Sequence, residues 1–101
     1  MAVMEVSVVP IGKGPSISSY VADCIRVLKK ENMPFELTAM GTNVEGSLKS
    51  LIAVALKMHQ LPFNKGARRV VTTIKIDDRR DKKITLSGKK KAVLQKLLVR
   101  R

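Results

Sequence analysis

Only one cysteine occurs among the 101 residues of the chain. A lone cysteine cannot close an intrachain disulfide, so a small secreted domain held together by disulfides is excluded. Cys24 lies on the apolar face of a predicted helix. We therefore expect a buried, unreactive thiol rather than a nucleophile.

Long apolar runs are also missing. No run approaches the roughly 18–20 residues that a membrane-spanning helix needs. The first residues carry Glu5 and show no basic region ahead of an apolar run, which argues against a signal peptide. The expectation is a cytoplasmic protein without a membrane partner.

Histidine and aromatic residues are scarce, with one His, one Tyr, two Phe and no Trp. With a single histidine, the sequence gives little support for a Ser/His/Asp or Cys/His catalytic set. His59 also lacks a second His or a free Cys at the spacing of metal ligands. We expect His59 to pack at a helix end, and we expect no metal site and no enzymatic activity.

Basic residues exceed acidic ones and give a formal net charge of +12. Residues 1–45 carry four basic and five acidic side chains, whereas residues 79–101 carry ten basic and one acidic. A basic segment attracts polyanions without sequence preference. A nucleic-acid or polyanion-binding module that uses the basic C-terminal half is therefore an alternative function. Base stacking on a sheet would need aromatic rings, and none is predicted on the exposed sheet face.

Apolar periodicity predicts four strands and three helices. The strands are expected at residues 2–9, 35–40, 42–45 and 70–76. The first helix begins at Ser16 or Ser18, the second begins after Ser47 and ends before Pro62, and a third lies near the C-terminus. This order is the split βαβ arrangement, an α+β ferredoxin-like fold (βαββαβ) with a four-stranded antiparallel sheet plus an extra C-terminal helix. We expect a single domain over residues 1–101, with two helices on one sheet face.

The hairpin at residues 35–47 is the candidate for the working site. Gly41 permits a reversal between two short strands, since glycine adopts positive φ readily. The period of two is expected to place the polar side chains of the hairpin on one surface: Glu36, Thr38, Asn43 and Glu45. Glu45 is the strongest single candidate, because it ends a strand beside Gly46, where a ligand could approach the backbone.

The open sheet face as a whole predicts a preference for one type of ligand. It is expected to display Glu5, Ser7, Glu36, Thr38, Asn43, Glu45, Thr73 and Lys75. Its carboxylates outnumber its lysine, which favours a cationic small molecule that forms hydrogen bonds. A solvated surface, or one covered by another subunit, is the alternative.

Three further segments favour simple interpretations. Residues 12–16 lack the spacing of a P-loop and indicate a connecting loop. Residues 77–81 predict a salt-bridged strand end rather than a metal site. Lys89, Lys90 and Lys91 are expected in the first turn of the last helix, where positive charge opposes the helix dipole. The apolar stripe of that helix needs a cover from its own domain or from a partner: Val93, Leu94, Leu97 and Leu98.

Four segments together resemble the small thiamine-binding-protein family. In order they are Val9-Pro10-Ile11-Gly12, then Ser16-Ile17-Ser18 with Tyr20-Val21, then Gly41-Thr42-Asn43-Val44-Glu45-Gly46, and finally residues 69–81. The resemblance implies a ferredoxin-like fold assembled into dimers and tetramers, which binds thiamine or its hydroxymethylpyrimidine part without established catalysis. On matching positions it implies these ligand-facing residues: Thr42, Asn43 and Glu45, with Ser7 and Thr38 as weaker candidates.

The chain departs from the family in its charge, with Lys49 and residues 89–91 at positions where relatives usually carry acidic residues. The leading interpretation is a non-enzymatic, oligomeric small-molecule binding protein, with thiamine or a related pyrimidine as ligand. We expect a homodimer or homotetramer, with weak, non-specific nucleic-acid binding as an additional property. An enzyme of thiamine metabolism is a further alternative, which the missing catalytic set disfavours.

Overall fold

The computed structural model describes residues 1–98 and contains four strands and three helices. The strands are β1 (Ala2–Ile11), β2 (Phe35–Leu37), β3 (Thr42–Gly46) and β4 (Arg69–Asp78). The helices are α1 (Ser18–Lys30), α2 (Leu48–Asn64) and α3 (Leu86–Leu98). The predicted order of elements is confirmed. Among these residues no helix is both long and apolar enough to cross a membrane.

Strand β1 lies at the centre of the sheet, whose order is β2-β3-β1-β4. It pairs antiparallel with β3 from Ala2–Gly46 to Val6–Thr42, and with β4 along its whole length. Every neighbouring pair of strands is antiparallel. The split βαβ arrangement is therefore the observed fold.

The core lies between the sheet and the pair α1 and α2. Alternate residues of β1 face these helices and are buried, whereas Glu5 points to the other face and is exposed. The side chains that fill the core from the sheet and from the two helices include Met4, Val6, Leu28, Val44, Leu51, Val54 and Met58. Each is at most 2% exposed. Every second side chain of the strands therefore packs against the apolar stripes of the two helices in one continuous core.

One helix boundary agrees with the prediction and one differs. Helix α1 begins at Ser18, one of the two predicted starts, although Ile17 occupies its N-cap and no side-chain hydrogen bond caps it. Helix α2 continues past the expected end and includes Pro62 in its last turn. Pro62 is buried, and its carbonyl accepts from the N–H groups of Lys65 and Ala67, so the ring packs where the helix is already ending.

Helix α3 lies partly on the sheet face opposite α1 and α2, which corrects the expectation of one fully open face. Leu86 and Lys89 line a cavity there together with Val3 of β1, and Val3 is only 6% exposed. Thr85 precedes the helix and accepts from the N–H of Gly88 at 2.9 Å. Because the helix begins at Leu86, the lysines at 89–91 lie after its first three residues rather than in the first turn.

The N-terminus of α2 provides a test of local stabilisation. Ser47 Oγ accepts from the backbone N–H of Ser50 at 3.1 Å, as predicted for an N-cap. Ser47→Ala removes that acceptor and should lower the free energy of unfolding by about 1 kcal/mol. Urea unfolding followed by far-UV circular dichroism, at one fixed protein concentration, measures the change.

Ser19→Ala is the matched control, because Ser19 is exposed in the first turn of α1, which has no side-chain cap. Its effect should stay within about 0.5 kcal/mol. Equal losses of unfolding free energy in the two variants would show that the Ser47 hydroxyl does not stabilise α2 as an N-cap.

The thiol of Cys24 provides a test of core packing. Burial, with a smaller contribution from the charge of Asp23, raises the pKa of Cys24 to about 11. The side chain is also only 4% exposed, so at pH 8 the folded protein should react with iodoacetamide far more slowly than the urea-unfolded protein. Mass spectrometry of the alkylated chain reads out both rates. Rapid alkylation of the folded protein at pH 8 would contradict this packing.

Candidate functional site

A cavity of about 540 Å³ lies between the first half of α1, the second half of β1 and the hairpin that joins β2 to β3. Its apolar wall includes Val6, Val8, Val21 and Ile25, and Met58 of α2. A volume of this size is typical of small-molecule sites, which combine apolar walls with a few polar groups. We call it the helix-side cavity.

Hydroxyl groups supply most of the polar lining of the helix-side cavity. The residues that carry them are Ser16, Ser18, Thr38 and Thr42. Ser7 also borders the cavity, but it alternates with the buried Val6 and Val8 and pairs with Thr73, so its side chain shares the face of Glu5 and its backbone is the part that borders the space. Thr42 is 4% exposed, and among residues 1–98 it is the one polar residue that is buried. The hydroxyl of Thr38 donates to the carbonyl of Gly41 at 2.8 Å, and the same carbonyl accepts from the Thr38 N–H. The lone pairs of the Thr38 oxygen therefore remain able to accept from a ligand.

Among residues 1–98, none of those that line the helix-side cavity is charged. Transfer of a full positive charge into such a site is unfavourable without a compensating partner. The cavity therefore suits the uncharged, hydrogen-bonding end of a ligand better than a cation. This differs from the expectation of a site defined by carboxylates.

Ser7 borders the helix-side cavity and is the first β1 residue beyond the pairing with β3. The pairing of β1 with β3 stops at Val6–Thr42, so β1 continues past the end of β3 at this point. The hairpin turns away there, and Thr38 and Gly41 border the space. The end of one strand pairing therefore opens the cavity toward solvent.

The five predicted site residues lie on two different sides of the sheet. Thr38 and Thr42 line the helix-side cavity and the Ser7 backbone borders it, whereas Asn43 lines a cavity of about 400 Å³ on the opposite face. Glu45 alternates with Val44, which is fully buried toward the helices, so Glu45 shares the face of Asn43. The prediction that Thr38 shares a surface with Asn43 and Glu45 is wrong, because β2 ends at Leu37 and Thr38 belongs to the turn.

The opposite sheet face, here called the open face, is not dominated by unpaired carboxylates. Lys75 lies 3.8 Å from the Glu5 carboxylate, and Lys89 lies 2.6 Å from Asp77. Lys90 pairs with Glu36, and its hydrogen bond is the main reason that the pKa of Glu36 is lowered. The predicted preference of this face for a cation is weakened, since lysines from β4 and α3 already meet Glu5, Glu36 and Asp77. Among residues 1–98 no ion pair includes Glu45.

The acidic and basic residues after β4 form ion pairs with one another. Arg79 donates to Asp81 at 2.5 and 2.8 Å, and Arg80 donates to Asp78 at 2.8 and 3.3 Å. These bonds lower the pKa of both carboxyl groups. Among residues 1–98 no group of three or more His, Cys, Asp and Glu side chains is placed to hold a metal ion.

The aromatic side chains and His59 lie away from the open face. Phe35 packs against the core, and Tyr20 lies below the ammonium of Lys65, 5.3 Å from the ring centroid. His59 contacts Phe63 edge-on and forms a 2.7 Å hydrogen bond with Thr72. The rings that base stacking on the sheet would require are therefore engaged elsewhere.

Sequence reasoning missed part of the helix-side cavity. The sequence predicts Ser16 and Ser18 as helix starts and as part of a family segment, but not as ligand-facing residues. Both line the cavity, as does the exposed Met40 of the hairpin turn. Gly12 and Gly14 adopt φ of 85° and 87° and complete the loop that precedes α1. The short polar spacing of Ser16 and Ser18 was visible in the sequence, but their proximity to the hairpin depends on how α1 crosses the sheet.

Comparisons with known proteins agree on one family. The thiamine-binding protein family matches residues 4–94 of the chain. The UPF0045 protein YqgV of Bacillus subtilis is 46% identical over 98 residues, which covers 92% of this chain and 94% of that protein.

Two solved structures show the same fold. Hypothetical protein MJ1052 of Methanocaldococcus jannaschii has a TM-score of 0.87 at 41% identity, covering 93% of this chain and 96% of that chain. A domain of unknown function, DUF77, from Bacillus cereus has a TM-score of 0.78 at 34% identity, covering 87% and 85%. The chain described here belongs to the thiamine-binding protein family.

Proposed function

We propose that this protein is a non-enzymatic small-molecule binding protein whose ligand is thiamine or its hydroxymethylpyrimidine part. The observation that carries the proposal is the buried Thr42 side chain on the wall of the helix-side cavity. Family membership supports the class of ligand. No catalytic step is assigned.

The lining of the cavity favours the pyrimidine end of thiamine as the buried part. An aminopyrimidine is uncharged at neutral pH and presents an amino donor and ring-nitrogen acceptors, which hydroxyl groups can meet. The lone pairs of Thr38 and the hydroxyl of Thr42 are suitable partners on the cavity wall. The thiazolium is cationic, so it would remain at the rim near Ser7, where water stabilises its charge.

Thr42→Val tests this placement, because valine keeps the shape of threonine and removes the hydroxyl. Loss of one neutral hydrogen bond is worth about 0.5–1.5 kcal/mol, so thiamine affinity should fall about threefold to tenfold. Isothermal titration with thiamine and with the free hydroxymethylpyrimidine measures the effect. The affinities for both ligands should fall by the same factor if the pyrimidine is the part that is buried.

Thr73→Val makes the same replacement on the open face of β4, and it should leave the affinity unchanged. Glu45→Gln tests the alternative position of the ligand beside Asn43 on the open face. If Glu45→Gln lowers the affinity for thiamine and Thr42→Val leaves it unchanged, the ligand binds on the open face. That result would contradict binding in the helix-side cavity.

We also infer that the protein assembles into a homodimer or homotetramer. The radius of gyration is 15.4 Å, compared with about 13 Å for a compact domain of 100 residues. Helix α3 exposes its whole apolar stripe: Val93, Leu94, Leu97 and Leu98. A row of exposed large apolar residues on one helix is typical of a surface that another protein covers.

A single charge on this stripe should weaken the assembly. Leu97 is 72% exposed, so Leu97→Glu adds charge without disturbing the core and should shift the protein toward the monomer. Light scattering coupled to size-exclusion chromatography reports the mass of each variant. Gln95→Glu adds the same charge on the opposite side of α3 and should leave the mass unchanged. A wild-type protein that is monomeric at micromolar concentration would contradict the inference.

A further inference from the structure

A separate concave site lies between the end of β4 and the start of α3. Its volume is about 290 Å³, and four basic side chains line it: Arg79, Lys82, Lys83 and Lys89. Asp77 is the carboxylate among the lining residues, so the lining carries a net charge of +3. We call this site the basic cavity.

Two of these cations are held in place by ion pairs at the edge of the basic cavity. Arg79 forms two hydrogen bonds to Asp81, and Lys89 lies 2.6 Å from Asp77. Ile84 is 7% exposed and anchors the segment that carries the two remaining lysines. The backbone therefore brings like charges together around a concave space, although their mutual repulsion opposes this arrangement.

Part of this positive charge has no ion-pair partner in the described part of the chain. Among residues 1–98, no ion pair joins Lys82 or Lys83 to a carboxylate. Arg79 uses Nε and Nη2 to contact Asp81, which leaves the N–H donors of Nη1 for another acceptor. The Gly88 N–H already donates to Thr85, so the binding capacity comes from side chains.

The basic cavity adjoins the cavity on the open face. Asp77 and Lys89 line both, so their ion pair forms the boundary between the two spaces. Beyond that boundary lie the apolar Val3 and Leu86 and the amide of Asn43. A molecule whose anionic end lies in the basic cavity would have room for an organic part next to it.

We propose that the basic cavity binds the phosphate or diphosphate group of a small molecule. Such a group carries more than one negative charge at neutral pH and several acceptor oxygens, which match a cluster of lysines and an arginine better than a single carboxylate does. The site is distinct from the helix-side cavity, since none of the residues 1–98 lines both. The proposal for the basic cavity therefore does not rest on the proposed thiamine site.

Titration with inorganic pyrophosphate tests the basic cavity directly. The wild-type protein should bind one pyrophosphate per chain by isothermal calorimetry, and Lys82→Gln with Lys83→Gln should weaken that binding at least tenfold. Lys29→Gln with Lys49→Gln is the control. It removes the same charge from exposed positions on α1 and α2 and should change the affinity less than twofold.

Equal weakening of both double variants would show diffuse attraction to a basic surface and would overturn the proposal. A short single-stranded DNA that binds while pyrophosphate does not would also overturn it, in favour of an extended polyanion. Adenosine diphosphate is the organic probe. If adenosine diphosphate binds more tightly than pyrophosphate, and if Asn43→Ala abolishes this difference in affinity, the organic part of the ligand lies in the adjoining cavity. Equal binding of the two probes assigns the site to the free anion.

Discussion

The two-sided pairing of β1 is the constraint on which the rest of the structure depends. Because β1 pairs with both β3 and β4, its register determines which residues of all three strands face α1 and α2. Met4, Val6 and Val44 are thereby buried together, while Glu5 and Asn43 face the other way. The sheet separates an apolar, uncharged side from a charged side, and each cavity takes its chemistry from the side on which it lies.

The fold was predictable from sequence because strand and helix periods are local properties. Alternation in β1 and the apolar stripes of α1 and α2 required no knowledge of distant contacts. The site was less predictable, since neighbouring strand residues point in opposite directions. The motif that contains Thr42 and Asn43 indicated the correct segment, but its two polar residues face different cavities. Only the end of β2 at Leu37 shows that Thr38 belongs with Thr42.

The charge distribution shows a second limit of sequence reasoning. The excess of lysine in the last quarter of the chain was visible, and it suggested a diffuse polyanion surface. The pairs that change its meaning join residues far apart in sequence, such as Lys90 with Glu36 and Lys89 with Asp77. These contacts depend on α3 crossing the open face, which no local pattern indicates. Part of the basic segment therefore neutralises the sheet, whereas Lys82 and Lys83 take part in no ion pair among residues 1–98 and line one cavity.

The separation of charge across the sheet bears on the proposal that a cationic vitamin binds in a cavity that no carboxylate of residues 1–98 lines. A binding site need not neutralise a ligand's charge when that charge remains in water, where solvation already stabilises it. What the helix-side cavity must supply is apolar contact and hydrogen bonds for the uncharged ring, and its apolar residues and hydroxyls can supply both. The carboxylates on the open face are then free to hold α3 through Lys89 and Lys90. Recognition of a neutral ring and attachment of a basic helix can thus occur on one small sheet without competing for the same side chains.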